Sequence, residues 1–177
     1  CASGGCVDLS ASFLETGETT SYDVKPIPFA PFPFVGGTGV SVDQDDIWSP
    51  AIDLPFNFCF FGGTYDEIVI GSNGVISFDL VTNPPGSFCA YSFDESIPSP
   101  ALFRNTIFGV YMDVNPVPSP PTSDINYQVL GEAPCRTMVV SMPNIFYYGF
   151  ACNTTRMTSQ MVIYETTNVI EVYVLDR

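Results

Sequence analysis

The sequence predicts an all-β fold, a two-sheet antiparallel β-sandwich of jelly-roll-like topology that is stapled by disulfide bonds. Short β-branched or aromatic runs recur between turn residues, no stretch carries a convincing helical period, and six cysteines are present. A chain of 177 residues with 46% hydrophobic residues suits one domain with a buried core, so residues 1–177 are predicted to form a single domain.

The most informative stretch is a β-hairpin over residues 67–78. Two apolar arms, Glu67–Ser72 and Val75–Phe78, flank Asn73 and Gly74. Asn followed by Gly favours a tight primed turn with two positive-φ positions. Both arms are nearly continuous in apolar residues, which predicts a hairpin in the middle of a sheet with other layers on both faces.

The N-terminal part, residues 1–34, is predicted to be an edge strand and a Pro-rich strap. It begins with a loop of small residues, CASGGC, and ends in a segment that alternates proline with aromatic or aliphatic residues. Proline donates no ladder hydrogen bond, so this segment is expected to lie over the sandwich rather than inside a sheet. The alternative is that the strap exchanges between subunits as an added strand.

The rest of the chain reads as strands separated by turn residues. A long irregular connection, residues 80–100, follows the hairpin. The predicted strands are Ile107–Val114, Ile125–Leu130, Thr137–Met142, Ile145–Tyr148, Ser159–Glu165 and Val169–Leu175.

The cysteines indicate an oxidising compartment, because none stands in a CxxC pair and no histidine is present to complete a zinc site. The expected pairs are Cys59–Cys89 around the hairpin, Cys135–Cys152 around one strand, and Cys1–Cys6. A lipid on Cys1 is the alternative, but it would leave an odd number of thiols. The chain shows no basic-then-apolar leader and no membrane-spanning apolar run, so we expect a mature or trimmed exported protein.

The formal net charge of −14 argues against nucleic acid and anionic membrane surfaces as partners. It favours cations. Asp43, Asp45 and Asp46 crowd three carboxylates into four residues, and Asp113 at a neighbouring strand end could join them. Oxygen ligands of this kind suit calcium, although the glycine turn and terminal glutamate of an EF-hand are missing. A solvated acidic loop is the alternative.

Catalysis is not expected. The chain has no histidine, and Lys25 is its one lysine, so the usual triads cannot be assembled. A carboxylate pair of a glycosidase remains as an outside alternative, with the candidates Asp66, Asp94, Glu95 and Asp113. Tyr147 and Tyr148 form a dense aromatic patch that could stack on a sugar, and core or edge packing is the alternative role.

Four segments carry a resemblance to a known family: LPFNFCFFGGTYDEIVIGSNGVISFD, FGVYMDVNP, INYQVLGEAPCRTMVVS and SQMVIYETTNVIEVYV. In this order they resemble an N-terminal domain of exported surface proteins of Bacteroidota, which often end in a type IX secretion sorting domain and are linked to gliding motility or adhesion. A looser similarity is to the nidogen-type extracellular domain.

The resemblance implies a non-enzymatic structural or adhesion module at the cell surface. Its implied partners are other domains or copies of the same surface protein, or a glycan or surface protein, without direct membrane insertion. A self-assembling, pilus-like filament subunit that uses edge strands is the alternative. Relatives continue beyond the position of Arg177, so the chain is expected to be a trimmed piece or a divergent member.

Overall fold

The computed structural model describes residues 10, 19–42, 44–117, 124–149 and 154–177. These residues form two antiparallel sheets and contain no helix. The all-β class is therefore confirmed for the described chain. Asp43, Cys1, Cys6 and Cys152 lie outside the described residues. No helix able to cross a membrane is found in the described part of the chain.

The four-stranded sheet has the order β2-β3-β4-β5 and contains the predicted hairpin. Its strands are β2 (Ile52–Phe60), β3 (Gly63–Gly71), β4 (Val75–Ser77) and β5 (Thr106–Phe108). Strands β3 and β4 are central, as predicted. Their alternate residues pack into two different clusters, with Ile70 and Ile76 on the inner face and Val69 and Val75 on the outer face. Burial on both faces explains why the arms are nearly continuously apolar.

The six-stranded sheet has the order β1-β7-β8-β9-β10, and β6 pairs with the distal end of β8. Its strands are β1 (Thr38–Gly39), β6 (Val114–Asn115), β7 (Asn126–Leu130), β8 (Thr137–Tyr147), β9 (Arg156–Tyr164) and β10 (Ile170–Asp176). The two strands predicted over residues 137–148 are one strand, β8, in which the register shifts between Met142 and Ile145.

One hydrophobic core joins the inner faces of the two sheets. Phe58, Ile68 and Ile76 of the four-stranded sheet share this cluster with Met138, Met142 and Met161 of the six-stranded sheet. The sheets thus pack as a sandwich. The jelly-roll-like topology is wrong, because β2 to β5 and β7 to β10 each run as sequential neighbours. Meanders of this kind lack the returning connection of a Greek key.

The turn of the central hairpin differs from the predicted primed turn. The loop has three residues, Ser72, Asn73 and Gly74, between the paired residues Gly71 and Val75. Only Gly74, at φ 82°, has a positive φ in this loop. A Cβ at Gly74 would collide with the carbonyl oxygen of Val110, so glycine is required there. A three-residue loop that ends in a left-handed glycine leaves Asn73 free to turn inward.

The described part of the strap, residues 19–34, forms no strand, so the edge-strand prediction is wrong for it. It lies on the outer face of the six-stranded sheet. The backbone N–H of Phe32 donates to Oε1 of Gln160 at 2.9 Å, and Nε2 of Gln160 donates to the carbonyl of Phe32 at 3.1 Å. Phe32 also packs against the cluster of Val139, Val162 and Tyr173. The strap therefore covers its own sheet, as the first of the two expectations stated.

The expected disulfide between Cys59 and Cys89 is wrong. Cys59 lies opposite Thr64 in the register of β2 and β3, whereas the thiol of Cys89 lies against Gly71 at the other end of β3. Thr64 and Gly71 are separated by roughly 20 Å at the usual rise of a strand, and a disulfide needs Cα atoms within about 7 Å. Both cysteines are free and buried, and Cys135 is free and exposed. The stapling is thus not confirmed.

Candidate metal centre

Three carboxylates come together beside the turn of the central hairpin. One carboxylate oxygen from each of Asp45, Asp46 and Asp113 lies within 4.8 Å of the others. The first two precede β2, and Asp113 directly precedes β6. The structure therefore brings together three of the four residues that the sequence suggested as calcium ligands, and Asp43 lies outside the described residues.

The side chain of Asn73 links the segments that carry these carboxylates. Its Nδ2 donates to Oδ1 of Asp46 at 2.6 Å and to the carbonyl of Cys89 at 2.8 Å, and its Oδ1 accepts the N–H of Val114 at 3.1 Å. Asn73 is fully buried. An amide whose donors and acceptor are all engaged holds its partners in one arrangement, so Asn73 positions Asp46 and the segment that follows Asp113.

Ser72 fixes the acidic loop from the same turn. The N–H of Ile47 donates to Oγ of Ser72 at 3.1 Å, and the N–H of Ser72 donates to the carbonyl of Ile47 at 3.0 Å. The N–H of Cys89 donates to the carbonyl of Asp46 at 2.8 Å. Asp46 has a φ of 52°, a left-handed conformation that aspartate tolerates better than most residues. Local backbone bonds therefore build the loop around the hairpin.

The electrostatics of this cluster oppose full ionisation. Burial, together with the charges of Asp46 and Asp113, raises the pKa of Asp45 to about 6. Burial and the charge of Asp46 raise the pKa of Asp113. Oδ1 of Asp45 is buried and has no hydrogen-bond partner among the described residues. Crowded carboxylates with a free oxygen are ligands of the type that a hard divalent cation takes, and calcium fits their number and kind.

Sequence reasoning missed Asn73 as a member of this site. The Asn-Gly pair had a complete local explanation in the expected primed turn, so nothing pointed to a tertiary role. The signal that could have found it is the long apolar run around an otherwise polar side chain, which predicts that the turn is buried and that its amide needs partners.

The tyrosine pair does not form a shared aromatic patch. Tyr147 packs against the main core, whereas Tyr148 is 54% exposed. Adjacent strand residues point to opposite faces, which explains the difference. The N–H of Tyr148 donates to the carbonyl of Asp113 at 2.9 Å, so the exposed tyrosine lies beside the acidic cluster.

The glycosidase candidates are dispersed. Asp113 lies near Asn73 at one end of β3, and Asp66 lies toward the other end of the same strand. Their separation is roughly 20 Å along the strand, far beyond the 5–9.5 Å that a catalytic pair needs. Asp94 and Glu95 lie in the exposed connection after the hairpin.

A second cleft of about 620 Å³ opens beside β2 and is lined in part by Arg136, Glu165, Asn168 and Cys59. Arg136 and Glu165 form a bidentate ion pair through Nε and Nη2 at 2.8 and 2.6 Å. This pair lowers the pKa of Glu165 to about 2. Oδ1 of Asn168 accepts the N–H of Cys59 at 3.0 Å. The polar groups of this cleft are largely engaged with one another, which is the arrangement of a structural tie.

Comparison with known proteins defines the class of the domain. Residues 21–176 match the family described as NIDO related, and the chain belongs to this nidogen-related family. Domains of this family are typically extracellular. The comparisons with curated proteins and with solved structures give no match.

Proposed function

We propose that the protein is a non-enzymatic, extracellular structural or adhesion module of a bacterial cell-surface protein. The match to the nidogen-related family over residues 21–176 is the observation that carries this proposal. The resemblance of the four quoted segments adds the more specific expectation of an exported Bacteroidota surface protein secreted by the type IX route. Gliding motility or adhesion is the process in which such a module would take part.

The arrangement of chemical groups supports a role without catalysis. The chain has no histidine, and the carboxylates that could have formed a glycosidase pair are spread over the molecule. The carboxylate cluster beside Asn73 consists of groups with raised pKa values and no neighbouring nucleophile other than the buried thiol of Cys89, whose pKa burial raises. A thiol in that state is a poor nucleophile.

Assembly into filaments is the second candidate, and the edges of the sheets decide where it could occur. At the edge strand β2, the N–H of Cys59 is bound by Asn168 and its carbonyl accepts from Tyr22 at 3.2 Å, while Pro55 removes a donor. This edge is therefore protected. Strand β10 is the other long edge strand among the described residues, and it exposes Val172 and Val174. Self-assembly would proceed through β10.

Two measurements test the proposal. Antibodies raised against the folded domain should label intact source cells, and labelling only after lysis would contradict an extracellular role. The purified chain at micromolar concentration should show no hydrolysis of a polysaccharide panel. Robust hydrolysis that is lost in Asp113→Asn or Glu95→Gln would overturn the non-enzymatic assignment. Filaments seen by electron microscopy, and lost when Val172→Lys blocks the edge of β10, would favour the assembly candidate over a monomeric adhesin.

A further inference from the structure

A stack of aromatic side chains on the outer side of the four-stranded sheet ends in an exposed ring. Phe108 and Tyr111 pack against the outer-face cluster, and the ring centroid of Tyr111 lies 4.9 Å from that of Tyr91. The Tyr91 ring in turn meets the Phe93 ring edge to face, with the centroids 4.8 Å apart. Phe93 is 80% exposed. The stack thus carries a large apolar side chain from the interior into water.

The exposed end of this stack is held in place by the backbone. The hydroxyl of Tyr111 donates to the carbonyl of Ala90 at 3.2 Å and accepts the N–H of Ser92 at 3.1 Å. The segment that carries Phe93 is therefore tied to a half-buried tyrosine on both sides of Tyr91. A phenyl ring held rigidly in water loses the apolar burial that it could gain, and this is typical of surfaces that contact a partner.

The surroundings of Phe93 are anionic. Asp94 and Glu95 follow it directly, and both are exposed. Residues 26–103 contain no Lys or Arg, so every strand of this sheet except β5 comes from a stretch of chain without a basic residue. Arg104 lies close enough to Asp79 to help lower the pKa of that carboxyl. The surface around Phe93 therefore presents aromatic faces and carboxylates together.

We propose that Tyr91, Phe93, Asp94 and Glu95 form a docking surface for a Lys- or Arg-bearing segment of a partner protein. The faces of aromatic rings attract ammonium and guanidinium groups, and neighbouring carboxylates pair with the same groups. A second copy of this chain carries the same net charge of −14 and is repelled, and a neutral saccharide gains nothing from the carboxylates. This surface rests on the proposed function and deepens it by naming the chemistry of the partner.

The test is a titration of the full chain with a fluorescein-labelled peptide of alternating Arg and Gly, with a Glu–Gly peptide and a neutral oligosaccharide as probes of the other chemistries. Binding of the Arg peptide alone, weakening as salt rises, is expected. Phe93→Ala should weaken it about threefold to fivefold, the range of an exposed cation–π contact. The double change Asp94→Asn with Glu95→Gln should weaken it and flatten its salt dependence.

Phe88→Ala is the matched control, because Phe88 is 70% exposed and takes no part in the described stack. Phe93 is largely exposed, so its truncation should leave the thermal midpoint unchanged, and that midpoint is measured for each variant. Equal weakening by Phe93→Ala and Phe88→Ala, equal affinity for the oligosaccharide, or self-association of the chain through this face would overturn the surface. None of these results bears on whether the domain is extracellular or catalytic, so the two proposals fail separately.

Discussion

At the scale of single residues, the carboxylate of Asp45 shows how the fold sets the chemistry of the acidic cluster. Its Oδ1 is buried without a partner, and its neighbours Asp46 and Asp113 are also acidic. The fold thus places three groups of like charge where water cannot fully screen them. An arrangement of this kind costs stability when the groups are ionised and no cation is bound.

The pH dependence of stability should report this cost. The pKa of Asp45 rises to about 6 in the folded protein, from an unfolded value of about 3.9. Its contribution to stability is therefore fully present below pH 4 and is lost as pH rises through 6. We expect the thermal midpoint in EDTA to rise when the pH falls from 7 to 5. The lowered pKa of Glu165, about 2, acts in the opposite direction only at more acidic pH.

Asp45→Asn should raise the midpoint at pH 7 and flatten its slope between pH 5 and 7. Asp124→Asn is the control, since it removes an exposed carboxylate elsewhere on the surface. Thermal unfolding followed by circular dichroism provides the measurement. If Asp45→Asn keeps the slope of the parent chain, the cluster does not carry the unfavourable charge that its geometry indicates.

At the scale of secondary-structure elements, the hairpin and most strands could be predicted because local pattern and burial agree. Strands β3, β4, β7, β9 and β10 fall within a few residues of their expected positions. The predicted strand Ile107–Val114 failed because the chain leaves one sheet at Phe108 and joins the other at Val114. Both parts are buried, so an apolar run does not reveal the crossing. The pairing of Cys59 with Cys89 failed because proximity in sequence says nothing about the ends of a strand.

The strap depends on one buried side chain for its attachment. Besides its two bonds to Phe32, Gln160 donates through Nε2 to Oγ of Ser141 at 3.0 Å, and it is fully buried. Its polar groups are thus all used within the molecule. Gln128 binds the neighbouring carbonyl of Pro33 at 3.1 Å, but this bond is exposed to solvent. The two glutamines contact adjacent strap residues and differ in burial, which makes them a matched pair.

Gln160→Ala should lower the free energy of unfolding by roughly 2–3 kcal/mol, because it leaves buried backbone groups unpaired. Gln128→Ala should cost less than about 0.5 kcal/mol, as expected of an exposed contact. Urea denaturation measures both. Native-state proteolysis should cut residues 19–34 faster in Gln160→Ala than in Gln128→Ala. Equal losses in the two variants would mean that the strap is held by packing of Phe32 alone.

At the scale of the whole molecule, charge balance decides how the domain responds to its solution. The chain has 19 acidic residues and 5 basic residues. Self-repulsion on this scale destabilises the compact state, and any salt relieves it by screening. A bound calcium ion would act differently, because it stabilises the folded state by mass action at one place. The two effects can be separated by concentration and by a variant that lacks one ligand.

We expect sodium chloride to raise the thermal midpoint gradually over tens to hundreds of millimolar in both the parent chain and Asp113→Asn. Calcium should raise the midpoint of the parent chain by about 5 °C with saturation at millimolar concentration, and EDTA should reverse the rise. In Asp113→Asn this saturable part should be absent, because one of the three converging carboxylates is lost. Magnesium at equal ionic strength is the control, since its strict octahedral demand suits a fixed carboxylate set less well. An unchanged midpoint on addition of EDTA to the calcium-treated parent chain, or equal shifts with calcium and magnesium in both proteins, would show that the acidic cluster is only a solvated part of an anionic surface.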